Sequence, residues 1–254
     1  MDLPFMVAWF DDLLEPKSFK DYCVNGLCVE ANDKVTRIVT GVSLRDQLID
    51  AAIEEKADCI VVHHPNGFWQ GESQLPVGKF GERLAKLMRN GISVFGFHLP
   101  LDGHREIGNN AMIAKSLGLN PVHEFLKEGL RAVGVIAEWN TPATREEFLD
   151  CLNTAFPHGV QHSFFYGAEK ITRVAICSGS CGISGIKDAM EMKCDAFITG
   201  SIKEEVPIYC QENGVNLASC GHHRTETFGV RALAEKIEKE LSIPSKFIDF
   251  DNPV

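Results

Sequence analysis

Apolar residues recur along this chain in two periods, close to two and close to 3.6, and the two alternate. Cys59-Ile60-Val61-Val62 is unbroken apolar sequence and ends in His63-His64-Pro65. So short a run predicts a buried strand over 59–62, with Pro65 stopping the ladder. Upstream, residues 5–15 mix apolar and acidic positions as an amphipathic helix does, and Asn25-Gly26 marks a turn before Leu27-Cys28-Val29. The β-branched stretch Val35 to Val42 predicts a strand. Leu48, Ala51, Ala52 and Ile53 give Arg45 to Lys56 a helical face. After a loop with Gly67, Phe68, Trp69 and Gly71 come a helix over Gly81 to Arg89, a strand over Ile92 to Phe97, and a helix over Gly108 to Leu117. This β-α order predicts an α/β protein with a parallel or mostly parallel sheet.

The second half repeats the first. Val35-Thr36-Arg37-Ile38 recurs as Ile171-Thr172-Arg173-Val174, and Ala57-Asp58-Cys59-Ile60-Val61 as Cys194-Asp195-Ala196-Phe197-Ile198. Asn90-Gly91-Ile92 recurs as Asn213-Gly214-Val215, and Gly108, Ala111 and Lys115 as Gly229, Ala232 and Lys236. Four matches in one order favour internal duplication. The expectation is two similar α/β lobes, residues 1–125 and 126–254, with elements free to cross over. Residues 121–170, with Pro121, Pro142 and Pro157, are read as connection and decoration.

The length of 254 residues suffices for a sizeable core in one large or two modest domains. A net charge of −10 disfavours nucleic acid and anionic lipid as partners, including a ring that threads DNA. Nine cysteines, an odd number, with Cys59, Cys177, Cys194 and Cys220 in or beside apolar runs, fit buried thiols in a reducing cytoplasm better than a disulfide framework. Cys177 and Cys181 form the closest pair, without the second pair a structural zinc site needs. Met1-Asp2-Leu3-Pro4 lacks the basic start of a signal peptide, and no apolar stretch has membrane-spanning length.

Predicted strand ends gather the chemistry. One ends in His63-His64, a second in His98 and then Asp102, and the run Val215 to Cys220 ends in Gly221-His222-His223-Arg224-Thr225-Glu226. Neighbours on a regular strand face opposite ways, so His63 and His64 reach one spot only where the strand has ended. His222 and Glu226 are one helical turn apart, and a carboxylate can bridge two cations about 3.5–4 Å apart. These residues suggest a dinuclear site of His63, His64, Asp102, His222 and Glu226, against the plainer reading of solvent-facing histidines. Three imidazoles and two carboxylates admit Fe, Mn, Zn or Ni. His104 and His123 are read as surface residues. Cys177-Ser178-Gly179-Ser180-Cys181-Gly182 is either an anion cradle or, preferably, a tight turn. Thr199-Gly200-Ser201 takes the place of His63-His64 in the second half, facing the site or capping a helix with Ser201 and Glu204. Phe68, Trp69 and Phe97 are either stacking surfaces for a planar base or core.

At these residues the sequence resembles the NIF-three-like family, bacterial proteins often labelled GTP cyclohydrolase I type 2 homologues. The resemblance rests on Asn25-Gly26-Leu27, Val62-His63-His64-Pro65, His98-Leu99-Pro100-Leu101-Asp102, Gly108-Asn109-Asn110-Ala111, Ala196-Phe197-Ile198-Thr199-Gly200, Gly221-His222-His223-Arg224-Thr225-Glu226 and Phe247-Ile248-Asp249. It covers nearly the whole chain and matches the short form of the family. It implies two intertwined three-layer α/β/α lobes, a dinuclear metal site between them carried by the five residues named above, and a toroidal homohexamer. Many members have His-Thr-Asn-Leu-Asp where this chain has His98-Leu99-Pro100-Leu101-Asp102, and an acidic residue and a His after the Thr-Gly where it has Ser201.

The function expected is that of a cytoplasmic hydrolase with two divalent metal ions per chain, acting on a small nucleotide-like or phosphorylated molecule. His98, Glu204 and Glu205 are the candidates for general acid or base. The alternative is a non-catalytic metal-binding ring serving as scaffold or partner-binding module.

Overall fold

The structure is a computed structural model that describes residues 1–156 and 158–254, so the Pro157 of the expected connection lies outside the described residues. In chain order the elements are α1 (Leu3–Leu14), β1 (Gly26–Val29), β2 (Ile38–Ser43), α2 (Asp46–Glu54), β3 (Cys59–His64), α3 (Gly78–Arg89), β4 (Ser93–Gly96), the helical turn α4 (Leu99–Asp102), α5 (Asn109–Ser116), β5 (Asn120–Glu128) and β6 (Arg131–Thr144). There follow α6 (Arg145–Ala155), β7 (His162–Phe165), β8 (Lys170–Cys177), α7 (Gly182–Glu191), β9 (Ala196–Thr199), α8 (Glu205–Asn213), β10 (Asn216–Ser219), the turn α9 (His222–Thr225), α10 (Thr227–Leu241) and β11 (Ser245–Phe247). The chain forms two compact units. The first holds residues 1–101, 128–130 and 229–251, the second 102–127, 131–228 and 252–254.

The first unit contains a five-stranded sheet in the order β1-β4-β3-β2-β11. β4, β3, β2 and β11 run parallel, and β1 closes one edge antiparallel. Both faces are covered, which is why 59–62 is apolar without alternation. On one face Ile60, Val62, Val39 and Val94 pack with Leu48 and Ile49 of α2 and Leu87 of α3. On the other, Phe10 of α1 lies 4.9 Å from the Phe95 ring and 5.0 Å from that of Phe97. The helix over 5–15 and the strand over 59–62 are therefore found, the strand with two more residues than expected.

The second unit contains a mixed six-stranded sheet in the order β5-β6-β8-β9-β10-β7. β8, β9 and β10 are parallel, and β6 and β7 flank them antiparallel. Val174, Ile176 and Ile198 pack on one face with Ile113 of α5 and Phe148 and Leu152 of α6. Ala175, Phe197 and Leu217 pack on the other with Ile186 of α7 and Val206 of α8. Within residues 121–170 lie four regular elements: β5, the fourteen-residue β6, α6 and β7. Thr144 and Glu147 form a capping box that starts α6.

The repeated sequence marks repeated local structure. Asp58 accepts hydrogen bonds from the Thr36 and Arg37 amides at 2.9 and 3.1 Å, and Asp195 from those of Thr172 and Arg173 at 2.9 and 2.8 Å. Lys56 and Lys193 share a φ of 57° just before these aspartates.

Cys177 and Cys181 are joined as a disulfide, where thiols are expected from the sequence. The tight turn after β8 brings their Cα atoms to 6.4 Å, within disulfide reach. Among the described residues no helix is long and apolar enough to cross a membrane.

Candidate functional site

In the first unit β3 does not end before the histidines. His64 still pairs with Ser43 of β2, whereas the rungs with β4 stop at Val62 and Gly96. His63 Nδ1 lies 3.0 Å from the carbonyl oxygen of Phe97, and His64 Nδ1 lies 3.1 Å from Ser43 Oγ. The ring centroids are nonetheless 4.6 Å apart. His98 joins them, 5.0 Å from His63 and 5.6 Å from His64. One donor atom from each of the three lies within 4.8 Å of the other two. His63 and His98 are buried, and His64 is half-buried.

His98 is held by Asp21. Asp21 accepts hydrogen bonds from His98 Nδ1 at 3.0 Å, from the Leu99 and Tyr22 amides at 3.0 and 2.7 Å, and from Asn25 Nδ2 at 2.9 Å. Burial alone pushes the Asp21 carboxyl up. The His98 bond and charge, with the bonds from Asn25 and Leu99, outweigh it and hold the carboxyl at about 2. Asp21, Cys23 and His98 also converge. Burial and then the Asp21 charge push the Cys23 thiol far up, so it stays protonated, and this trio is a hydrogen-bond network.

In the second unit β8, β9 and β10 deliver the loops around His222. His222 Nε2 is 3.1 Å from Glu226 Oε1, and Glu226 is 2 % exposed. Ser201 Oγ lies 3.2 Å from His222 Nδ1, so Ser201 braces the imidazole. It is not the cap of α8, whose N-cap is Glu204. Asp102 accepts from Ser178 Oγ and Asn109 Nδ2, both at 2.8 Å and both on Oδ1. The amides of Ser178 and Gly179 donate to Asn110 Oδ1 and Thr225 Oγ1 at 2.7 and 3.0 Å. These two amides are spent within the protein, which favours the turn reading of 177–182 over the anion cradle. Glu204 and Glu205 are exposed, and no hydrogen bond among the described residues links them to His222 or Glu226.

Both donor sets fit a divalent metal by their chemistry. A carbonyl oxygen only accepts, so His63 Nδ1 carries the proton and Nε2 is the nitrogen with the lone pair. Metal-ligating histidines are characteristically anchored this way through the other nitrogen, and His64 and His222 have serine hydroxyls in that position. A Cβ on Gly179 would lie 2.6 Å from Glu226 Oε1 and 3.3 Å from His222 Nε2. That position, at φ 63°, is kept bare beside the donors. Asp21 and Ser43 brace the site without having been legible as site residues, whereas Ser201 lies in the stretch expected to face the site and Ser178 in the stretch weighed as an anion cradle. The spacing of Asp21 and Asn25 around a turn is the one local signal among them.

The fold and these donors define an α/β protein with a candidate histidine-rich metal cluster. Residues 1–253 match the model of the Duf34/NIF3 (NGG1p interacting factor 3) family. The GTP cyclohydrolase 1 type 2 homolog of Escherichia coli K12 is 37 % identical over 96 % of both chains, and that of Vibrio cholerae 38 % over 97 % of both. Among solved structures, a structural-genomics protein of unknown function, ybgI, aligns over the full length of both chains with a TM-score of 0.92 and 34 % identity. A protein from Thermus thermophilus does so with 0.88 and 30 %. The chain belongs to the Duf34/NIF3 family.

Proposed function

We propose that this chain is a metal-dependent hydrolase of a small nucleotide-like or phosphorylated substrate, holding two divalent ions with His63, His64, Asp102, His222 and Glu226. The observation that carries the reading is the anchoring of three imidazoles at Nδ1, with His63 fixed by the Phe97 carbonyl so that its Nε2 holds the lone pair, and Ser43 and Ser201 standing at the Nδ1 of His64 and His222. Divalent ions bound by these groups would lower the pKa of water and polarise a phosphoryl or carbonyl oxygen. Asp21 fixes His98 with its proton on Nδ1 and its Nε2 turned to the imidazole cluster, where it can take a proton from water or return one to a leaving group. His98 therefore carries the acid–base role here in preference to the exposed Glu204 and Glu205. A homohexamer and an origin by internal duplication belong to the same reading, the latter supported by the recurring aspartate clamps at Asp58 and Asp195.

The test is elemental analysis of protein purified without chelator, beside the His64→Ala, Glu226→Ala double variant. Close to two metals per chain, lost in the variant, are expected. A nucleotide hydrolysis panel then starts with GTP, the nucleotide in the relatives' name. Metal without turnover on any nucleotide would favour the non-catalytic scaffold, and the absence of stoichiometric metal would overturn the reading.

A further inference from the structure

Beside the imidazoles of the first unit stands an aromatic wall. The rings of Tyr22 and Trp69 are 5.6 Å apart and stacked at 26°. His98 stands edge-on to both, 5.2 Å from Tyr22 at 70° and 5.1 Å from Trp69 at 83°. His64 lies 5.7 Å from Trp69. Of the aromatics that might stack on a base, Phe97 is wholly buried and Phe68 packs on the core. Trp69 is only half-buried, and Tyr22 is 56 % exposed.

The wall is rigid. Cys23 and Trp69 form an antiparallel bridge, flanked by hydrogen bonds from the Val24 amide to the Phe68 carbonyl at 3.1 Å and from the Gln70 amide to the Tyr22 carbonyl at 2.7 Å. Trp69 Nε1 donates to Asn66 Oδ1 at 3.1 Å. The Tyr22 amide is tied to Asp21, the carboxylate that also holds His98. One carboxylate thus sets both the wall and the imidazole perpendicular to it. Large aromatic surface left in water costs free energy, and aromatic side chains are usually covered. Here the Tyr22 backbone is tied down and its ring rests on Trp69, so ordering the ring costs a planar guest less.

We infer that Tyr22, backed by Trp69, is a stacking platform for a planar nitrogen heterocycle such as a purine, with the edge of the guest directed at His98. This rests on the proposed function in assigning the imidazoles to the reacting end, and it narrows the substrate class to molecules with a flat heteroaromatic ring. Phosphorylated sugars without a base are then poor ligands. Stacking on an aromatic side chain tolerates any base, because every base has a π-face. The platform selects flatness, and the identity of the base is read elsewhere.

Equilibrium dialysis of GMP, guanosine and ribose 5-phosphate against wild type, Tyr22→Ala and Tyr22→Phe tests this, with metal content measured on the same samples. GMP and guanosine are expected to bind, and ribose 5-phosphate to bind at least about 10-fold more weakly. Tyr22→Ala should weaken GMP about 10-fold or more, Tyr22→Phe should stay within about 3-fold of wild type, and metal content should be unchanged in both. In wild type, guanosine should quench tryptophan fluorescence saturably. Equal binding of GMP by wild type and Tyr22→Ala, or of ribose 5-phosphate and GMP by wild type, overturns the platform whatever the metal content. Nucleoside binding that depends on Tyr22 in metal-free protein upholds the platform and counts against the metal reading alone.

Discussion

The main-chain carbonyl of Phe97 accepts the Nδ1 proton of His63 at 3.0 Å, which fixes the tautomer of a wholly buried imidazole. The carbonyl sits at the end of a strand whose Phe95 and Phe97 rings are pinned by Phe10, so the core of the first unit sets the direction of His63. No side-chain substitution removes that acceptor. Ser43 and Ser201, which brace His64 and His222, can be removed. Ser43→Ala and Ser201→Ala are each expected to weaken metal binding about 10–100-fold while leaving the fold intact. Competition with a chromogenic chelator measures the change, and unaltered affinity in both variants would show these contacts to be incidental.

Gly179 admits no side chain. Gly179→Ala would set a methyl 2.6 Å from Glu226 Oε1 at a left-handed φ of 63°. A loss of about 1–3 kcal/mol in denaturant unfolding is expected, with lower metal content in whatever fraction folds. Gly200→Ala should behave alike, its Cβ meeting the Gly179 carbonyl at 2.5 Å and Thr225 Oγ1 at 2.6 Å.

The Asp21 carboxyl is held at about 2 in the folded chain, below its ordinary 3.8. A folded value below the unfolded one means that ionised Asp21 contributes stability above pH 3.8, and that this is lost as the pH falls toward 2. The stability difference between wild type and Asp21→Asn should therefore be constant near neutrality and shrink across that acid window. Urea unfolding of both proteins at a series of pH values measures it, and a difference independent of pH down to 2 would contradict the assignment.

Of the cysteines outside the disulfide, Cys151 is exposed. Burial pushes the Cys28 and Cys220 thiols up to about 12 and those of Cys194 and Cys210 to about 11. A thiol reagent should modify Cys151 first in native protein, since only the thiolate reacts. Peptide mapping after brief alkylation checks this, and early labelling of Cys220 would mean local opening of β10.

Runs with one dominant pattern were legible. Cys59 to Val62 could only be a strand covered on both faces, and Leu48 to Ile53 only a helix over it. The strand end was less so. Pro65 suggested a stop at Val62, but pairing with β2 carries β3 on to His64, and the two imidazoles still meet because each is drawn to a different neighbour. Residues 121–170 misled through their prolines. Pro121 lies at an edge strand and Pro142 within a break in register, where a missing amide costs little, and Thr144-Arg145-Glu146-Glu147 carries the signature of a helix start. The internal repeat pointed Ser201 at the site, but Asp21 and Ser43 brace histidines 77 and 21 residues away. Contacts at such separations are made by topology and leave no local pattern.

The first unit borrows its edge from the end of the chain. Ser245 to Phe247 pair with β2, and Thr40 Oγ1 donates to the Val230 carbonyl at 3.0 Å. During synthesis the first hundred residues emerge early yet lack the strand and helix that complete their sheet. The second unit, apart from its last three residues, is finished before residue 229 appears. The part of the chain made first is thus the last to close, and until residues 245–247 emerge the open side of β2 is an unpaired parallel edge that the nascent chain must keep from its neighbours.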